Sequence, residues 1–372
     1  MKRFPFLSSI TGLGAVCVGA IWLLKDSQAA GQGASVGITT CINTLIPSLF
    51  PFMVLCTYVV ESGLSNRLGR YAGGVTRFLF RLPGCTAPVI LLSFLGGYPA
   101  GAKGISQLLA RKEITTDEAG QMLCFCVNAG PPFVLTAVGS CLLGDFTAGV
   151  VLLLSTTLSG LLLGIIFRFF SSSSSVSKPH CPPPASASSP FVSSVTGASR
   201  SLLTLCAFVI LFSVILSLMR ESGLFSILTR RLLLLGMSPG NAASLPSLLA
   251  EVTAGCRDGA MFGASLPMIA FGLGWGGLCV HLQIFSFFPQ FPLARWKFWF
   301  SRLLHGILSA VFTWNLLPFF PQVRSASALW SSQVTGGLAA SVPAVLTLFL
   351  LFLVMALDGT RFSPFDRQKT GT

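Results

Sequence analysis

The string TAPVILLSFLGGYPAGAKG, residues 86–104, decides the fold. It opens as a continuous apolar run, then breaks any helix at Gly96, Gly97, Pro99 and Gly101 and presents Lys103 immediately afterwards. An apolar helix interrupted in this way is tolerated in lipid only where the freed backbone is buried in protein or lines a wet cavity. The next apolar stretch, FCVNAGPPFVLTAVG (125–139), breaks again at Asn128, Gly130, Pro131 and Pro132. Residues 239–290 repeat the theme, with EVTAGCRDGA at 251–260 and FGLGWGGLCVHLQ at 271–283.

The whole chain agrees with that reading. Of its 372 residues 52% are hydrophobic and 9% charged, whereas a soluble chain carries about 25% charged residues. A soluble domain, a disordered chain, a collagen and a small disulfide scaffold are all excluded, which leaves an all-α, polytopic helical membrane protein. The 24 Lys and Arg against 11 acids give +13, but they sit between apolar runs: Arg67, Arg70, Arg77 and Arg81; Arg168, Lys178 and Arg200; Arg295, Lys297 and Arg302. That is the distribution of cytoplasmic loops, not of a nucleic-acid surface. Most of the 11 cysteines lie in apolar segments, none forms C-x-x-C, and the three histidines are scattered. Neither a metal nor another cofactor is expected.

Single spans are expected near 6–24, 43–62, 146–170, 200–219, 297–318 and 337–357, each about 20 residues, enough for a ~30 Å hydrocarbon core. The first follows Lys2 and Arg3 without a convincing cleavage site and reads as a retained anchor with its N-terminus inside. Domain limits follow: an anchor and connector over 1–40, a first half over 41–170, a Ser/Pro-rich cytoplasmic linker over 171–199, a second half with the final span over 200–357, and a cytoplasmic tail over 358–372.

The halves resemble each other. Glu61-Ser62-Gly63-Leu64 matches Glu221-Ser222-Gly223-Leu224, and Ala100-Gly101-Ala102-Lys103 matches Ala254-Gly255-Cys256-Arg257, in the same order at offsets of 160 and 154. With the N-terminus inside, charge counting makes each broken region cross an odd number of times, so at least one piece is re-entrant and the halves run with inverted topology. Arg220, Arg230 and Arg231 resist this assignment, since they fall on the outer side.

Broken helices at matching positions of two halves point to a substrate site, because half-helix N-termini offer unpaired N–H groups to an anion. The candidates are Gly97, Tyr98, Pro99, Gly101, Lys103, Asn128 and Gly130 in the first half, and Glu251, Gly255 and Arg257 in the second. Lys103 and Arg257 are read as an anion clamp, against snorkelling to headgroups or local pairing of Arg257 with Asp258. Asn128 either bonds substrate or makes an interhelical hydrogen bond. Glu251, an acid in an apolar stretch, either carries a coupling proton or pairs with an arginine. His281 reads as a packed histidine, and Trp296, Trp299 and Trp314 as an interfacial belt. GGYPAGAKG is not a phosphate loop, because Ala102 separates Gly101 from Lys103 and no hydroxyl follows. No nucleophile–base pair or paired carboxylates suggest an enzyme.

LIPSLFPFMVL (45–55), LGGYPAGAKG (95–104), FCVNAGPPFVLTAVG (125–139), EVTAGC (251–256) and FGLGWGGLCVHLQ (271–283) together resemble the YlbJ-type sporulation integral membrane proteins of the nucleoside-recognition, or Gate-domain, group. The resemblance spans nearly the whole chain apart from the linker and the tail. It implies a multi-pass membrane protein of the mother cell, at the outer forespore membrane, linked to delivery of dipicolinate, with inverted repeats similar to those of concentrative nucleoside transporters. The expected partners are a small anionic aromatic carboxylate, membrane lipid, and H⁺ or Na⁺ as coupling ion. Ion-coupled nucleoside transport and a non-transporting scaffold of spore assembly are the alternatives.

Overall fold

The computed structural model describes residues 5–170 and 189–323. The expected span over 337–357, the tail, and residues 171–188 of the linker lie outside them. In chain order the helices are α1 (Pro5–Lys25), α2 (Ser27–Thr40), a π-helical turn (Cys41–Leu45), α3 (Ile46–Glu61), α4 (Leu64–Phe80), α5 (Ala87–Gly96), α6 (Tyr98–Ala110), α7 (Thr116–Leu123), a π-helix (Pro132–Leu142) and α8 (Phe146–Phe167). The second half continues with α9 (Pro190–Glu221), α10 (Leu224–Leu234), α11 (Pro239–Ala250), α12 (Val252–Phe262), α13 (Leu266–Trp275), α14 (Gly277–Phe287) and α15 (Arg295–Leu316). No strand occurs among the described residues. The protein is an all-α polytopic membrane protein.

Among the described residues three helical stretches are long and apolar enough to cross a membrane: Phe146–Phe167, Pro190–Glu221 and Leu266–Phe287. Two bent pairs raise the number to five if each is one span, and one of these, Leu64–Phe80 with Gly84–Gly96, bends by 97°. α15 has the length of a span, but it carries Arg295, Lys297, Arg302 and His305 and is not among the apolar ones.

Local chemistry sets the helix ends. Proline occupies the first turn of α5, α6, α9, α11 and α13, where its fixed φ suits the helix and its missing N–H costs nothing. Thr115 and Glu118 close a reciprocal capping box on α7, with bonds of 3.2 and 2.7 Å. The Asp145 carboxylate accepts from Thr147 and Ala148 N–H and starts α8. Residues 190–199, read with the linker, are the first turns of α9. Their serines and threonines do not disrupt the helix, because the hydroxyls of Ser194, Thr196 and Ser199 bond back to carbonyls four residues earlier.

Small residues hold the helices together, as expected where lipid supplies no hydrophobic drive between them. A Cβ on Gly37 would lie 2.7 Å from Ile210 Cα where α2 crosses α9, and a Cβ on Gly274 2.7 Å from Gly306 Cα where α13 crosses α15. The described part of each half presents one element order. A helix ends at Glu61 or Glu221, a left-handed glycine follows (Gly63, φ 73°; Gly223, φ 75°), and a short helix with basic residues precedes two broken helix pairs and a final long helix. Packing across the halves is reciprocal: α6 meets α14, and α12 meets the π-helix Pro132–Leu142. The final long helices α8 and α15 touch each other, where Ser159 and Ser309 share a hydrogen bond of 2.7 Å.

Candidate functional site

The two matching breaks fall at Gly97 and Glu251. Gly97 separates α5 from α6 with φ 84° and ψ 178°, a region open essentially to glycine alone. Glu251 separates α11 from α12 in extended backbone, φ −146° and ψ 122°. Each break is backed by a glycine from the next broken pair. A Cβ on Gly130 would stand 2.9 Å from Gly97 N, and one on Gly277 would stand 3.0 Å from Ala250 O. Gly101 and Gly255, expected at the breaks, instead lie one turn inside α6 and α12. There they let backbone approach: an added Cβ would run into Cys126 O at Gly101 and into Leu248 Cα at Gly255.

The two breaks differ in chemistry. No side chain caps α6. On α12 the buried Glu251 carboxylate accepts from Thr253 N–H at 2.8 Å and Ala254 N–H at 2.7 Å. That helix N-terminus is therefore already capped by the protein's own carboxyl group. Tyr98, the first residue of α6, is buried and donates its hydroxyl to Leu273 O at 2.6 Å, tying the first break to the second half.

Between the breaks lies a narrow cavity of about 30 Å³, lined by Gly97, Tyr98, Pro99 and Gly130 from one half and Glu251 and Gln283 from the other. It offers room for about one or two waters. A second cavity, about 400 Å³, opens on the other side of Glu251, within the range that holds small ligands. Both π-helical segments line it, supplying Asn43, Thr44 and Thr136, and α12 adds Thr253 and Arg257. π-helical turns are rare and concentrate at functional sites.

Lys103 and Arg257 each stand six residues beyond their break, but they do not meet in one cavity. Arg257 lines the larger cavity. Lys103 is half-buried, lines neither cavity, and rests with Nζ 6.0 Å from the centre of the Phe287 ring. The helices differ in one neighbour: α6 also packs on α3, whereas α12 does not pack in the same way on α9, the corresponding long helix. Asn128 also lies away from both cavities; its Nδ2 donates to Phe125 O at 2.8 Å and its buried Oδ1 has no partner among the described residues.

Arg257 has no hydrogen bond or close ion pair among the described residues, and the carboxylate that shares its cavity is that of Glu251. Asp258, next to Arg257 in sequence, points elsewhere, to Arg220 Nη2 and to the Ser247 hydroxyl, while the Arg220 guanidinium stacks 4.3 Å from the Phe225 ring. This also accounts for one of the three arginines that resist the charge assignment. Arg220 is paired with the buried Asp258, so its position says little about membrane sidedness. Glu251, likewise, has no salt bridge with an arginine among the described residues.

A second polar cluster was not expected from the sequence. Arg302, grouped above with loop charges, is 1% exposed. Its Nη2 donates to Gly274 O and to His305 Nδ1, and His305 Nε2 in turn lies 3.0 Å from Thr156 O. Since a carbonyl can only accept, His305 carries its proton on Nε2 and receives Arg302 on Nδ1. The signal was present in the spacing of Phe298, Arg302, His305, Ser309 and Thr313, the buried stripe of α15. His281 is packed as expected, its Nδ1 2.6 Å from Gly277 O and its ring against Trp275, Phe298 and Trp299. Trp299 is thus inside this stack, while Trp296 and Trp314 stay exposed.

The chain is 24% identical to the sporulation integral membrane protein YlbJ of Bacillus subtilis (strain 168), across 91% of this chain and 94% of the relative. The match supports a YlbJ-type assignment. No family model matches the chain, and no solved structure matches it. The YlbJ-type match is nearly end to end, so it takes in both breaks, both π-helical segments and the cavity they line.

Proposed function

We propose that the chain serves sporulation as a transporter of a small anionic carboxylate of the dipicolinate kind across the mother-cell, or outer forespore, membrane. In this reading the two halves are inverted repeats, each with a broken helix pair at the site. One observation carries the reading: Arg257, half-buried and without a hydrogen bond or close ion pair among the described residues, faces a cavity of about 400 Å³ in which hydroxyls, the Asn43 amide and the Glu251 carboxylate stand among mostly apolar neighbours. A charged side chain at a cavity wall within a membrane protein is energetically costly and marks a substrate path. A carboxylate entering the cavity supplies the missing partner, and its second carboxylate lies among Thr40, Thr44, Thr136 and Thr253. Glu251 lines both cavities and would repel a dianion, so the accompanying proton or Na⁺ is assigned to it.

Uptake of labelled dipicolinate and of a nucleoside into proteoliposomes tests the reading. Wild type is expected to take up dipicolinate. Arg257→Gln is expected to lower that uptake about 10- to 100-fold, the worth of a charge-assisted bond, with partial activity in Arg257→Lys. Nucleoside uptake without dipicolinate uptake would favour the nucleoside alternative, and uptake of neither would favour the scaffold.

A further inference from the structure

Helix α4 presents three separate faces. At 100° per residue, Ser65, Gly69, Gly73, Thr76 and Phe80 form the buried face. Arg67, Arg70 and Arg77 form a second, exposed face, which Arg81 continues just past the helix end, and Leu68, Tyr71, Val75 and Phe78 form a third, also exposed. No acid occurs on α4, and none of these four arginines joins an ion pair among the described residues. A basic stripe beside an apolar and aromatic stripe, with the remaining face on protein, is the pattern of a helix lying in the plane of a membrane interface.

Two observations set its depth and direction. The stretch Leu64–Phe80 bends by 97° from the apolar stretch Gly84–Gly96 that follows it, so when α5 runs into the bilayer α4 runs along it. The span α8 ends against the same place: Arg168, its C-cap, donates Nη1 to Phe78 O and lies 5.9 Å from the Phe78 ring and 5.3 Å from the Phe169 ring. Arg81 approaches the same Phe169 ring at 5.9 Å. The end of a span marks the membrane surface, and there two arginines stand between exposed phenylalanines, with the Nε of Arg168 buried and unpartnered among the described residues.

We propose that the arginine stripe of α4, with Arg81 and Arg168 at its end, binds anionic phospholipid headgroups of the leaflet in which it lies. Guanidinium forks match phosphate oxygens, the neighbouring Leu68, Tyr71, Val75 and Phe78 accept the acyl chains, and no acid on the helix opposes the charge. The site is independent of the transport reading, because it lies on the outer face of the bundle and shares no residue with either cavity.

The test uses the full chain in detergent, with phosphatidylglycerol and phosphatidylcholine of matched acyl chains offered together and bound lipid counted by native mass spectrometry. Wild type is expected to hold phosphatidylglycerol preferentially. Arg67→Gln/Arg70→Gln/Arg77→Gln is expected to lower that preference about tenfold or more, since each basic residue near an anionic surface strengthens association about fivefold. The corresponding triple Lys variant should retain most of it. Equal retention of the two lipids by wild type, an unchanged preference in the Gln variant, or displacement of the lipid by inorganic phosphate at matched ionic strength would each overturn the proposal. Should the Gln variant fail to fold, a salt titration of wild type decides: the preference must fall as NaCl rises, and a salt-independent preference overturns it.

Discussion

The breaks at Gly97 and Glu251 are the same backbone event made with opposite chemistry. At Gly97 the chain turns because glycine alone accepts φ 84° with ψ 178°, and no side chain caps the helix that follows. At Glu251 the turn is ordinary extended backbone, and a carboxylate satisfies the first N–H groups of α12. The consequence continues six residues on, where Lys103 is set aside from the cavities and Arg257 faces one. Matching positions in the two halves of the chain thus differ in chemistry. One half supplies a backbone that can turn sharply, and the other supplies the charges.

The largest expected effect comes from the pair that isolates Arg257. Arg220→Ala removes the partner of the buried Asp258 and leaves its carboxylate without a cation, which should cost about 3 kcal/mol of stability, read by unfolding in detergent. Adding Asp258→Ala should recover part of that loss; if the double variant is as unstable as the single one, Arg220 is not what compensates the buried carboxylate.

Next in size is Gly97→Ala, which forces a side chain into a backbone region closed to it, with Leu49 Cδ2 2.8 Å from the new Cβ. A loss of about 2 kcal/mol is expected, and an unchanged unfolding midpoint would mean the first break does not depend on glycine. Glu251→Gly makes the second break resemble the first. It removes a cap, costs about 1 kcal/mol, and abolishes any dependence of uptake on the coupling ion; retained coupling would take Glu251 out of that role. The smallest effect is expected at Lys103→Gln, less than about twofold in uptake, and a loss as deep as that of Arg257→Gln would restore Lys103 to the site.

How much of this was legible varies with the range of the interaction. The broken regions were legible because Gly and Pro clustered within an apolar run interrupt a helix through their own backbone preferences. The repeat was legible because Glu-Ser-Gly-Leu ends a helix identically in both halves. The precise position of each break was not: Gly101 and Gly255 look like breakers, yet they are helical and serve close packing. The helical start of α9 was hidden by its Ser-rich composition, since back-bonding of hydroxyls to the preceding turn does not show in a composition count.

The sequence by itself determined that this is an all-α membrane protein with interrupted helices, and it carried the short motifs that recur at matching helix ends. Those properties follow from hydropathy and from residues whose backbone preferences act locally, wherever the chain goes. Only the tertiary structure decided which charges are paired and which are free. Asp258 adjoins Arg257 in sequence but pairs with Arg220, 38 residues away, and Arg302 looks like a loop charge but is buried against Gly274 and His305. In a low-dielectric interior a charge is settled by the groups that reach it in space, and helix packing, not sequence spacing, chooses those groups.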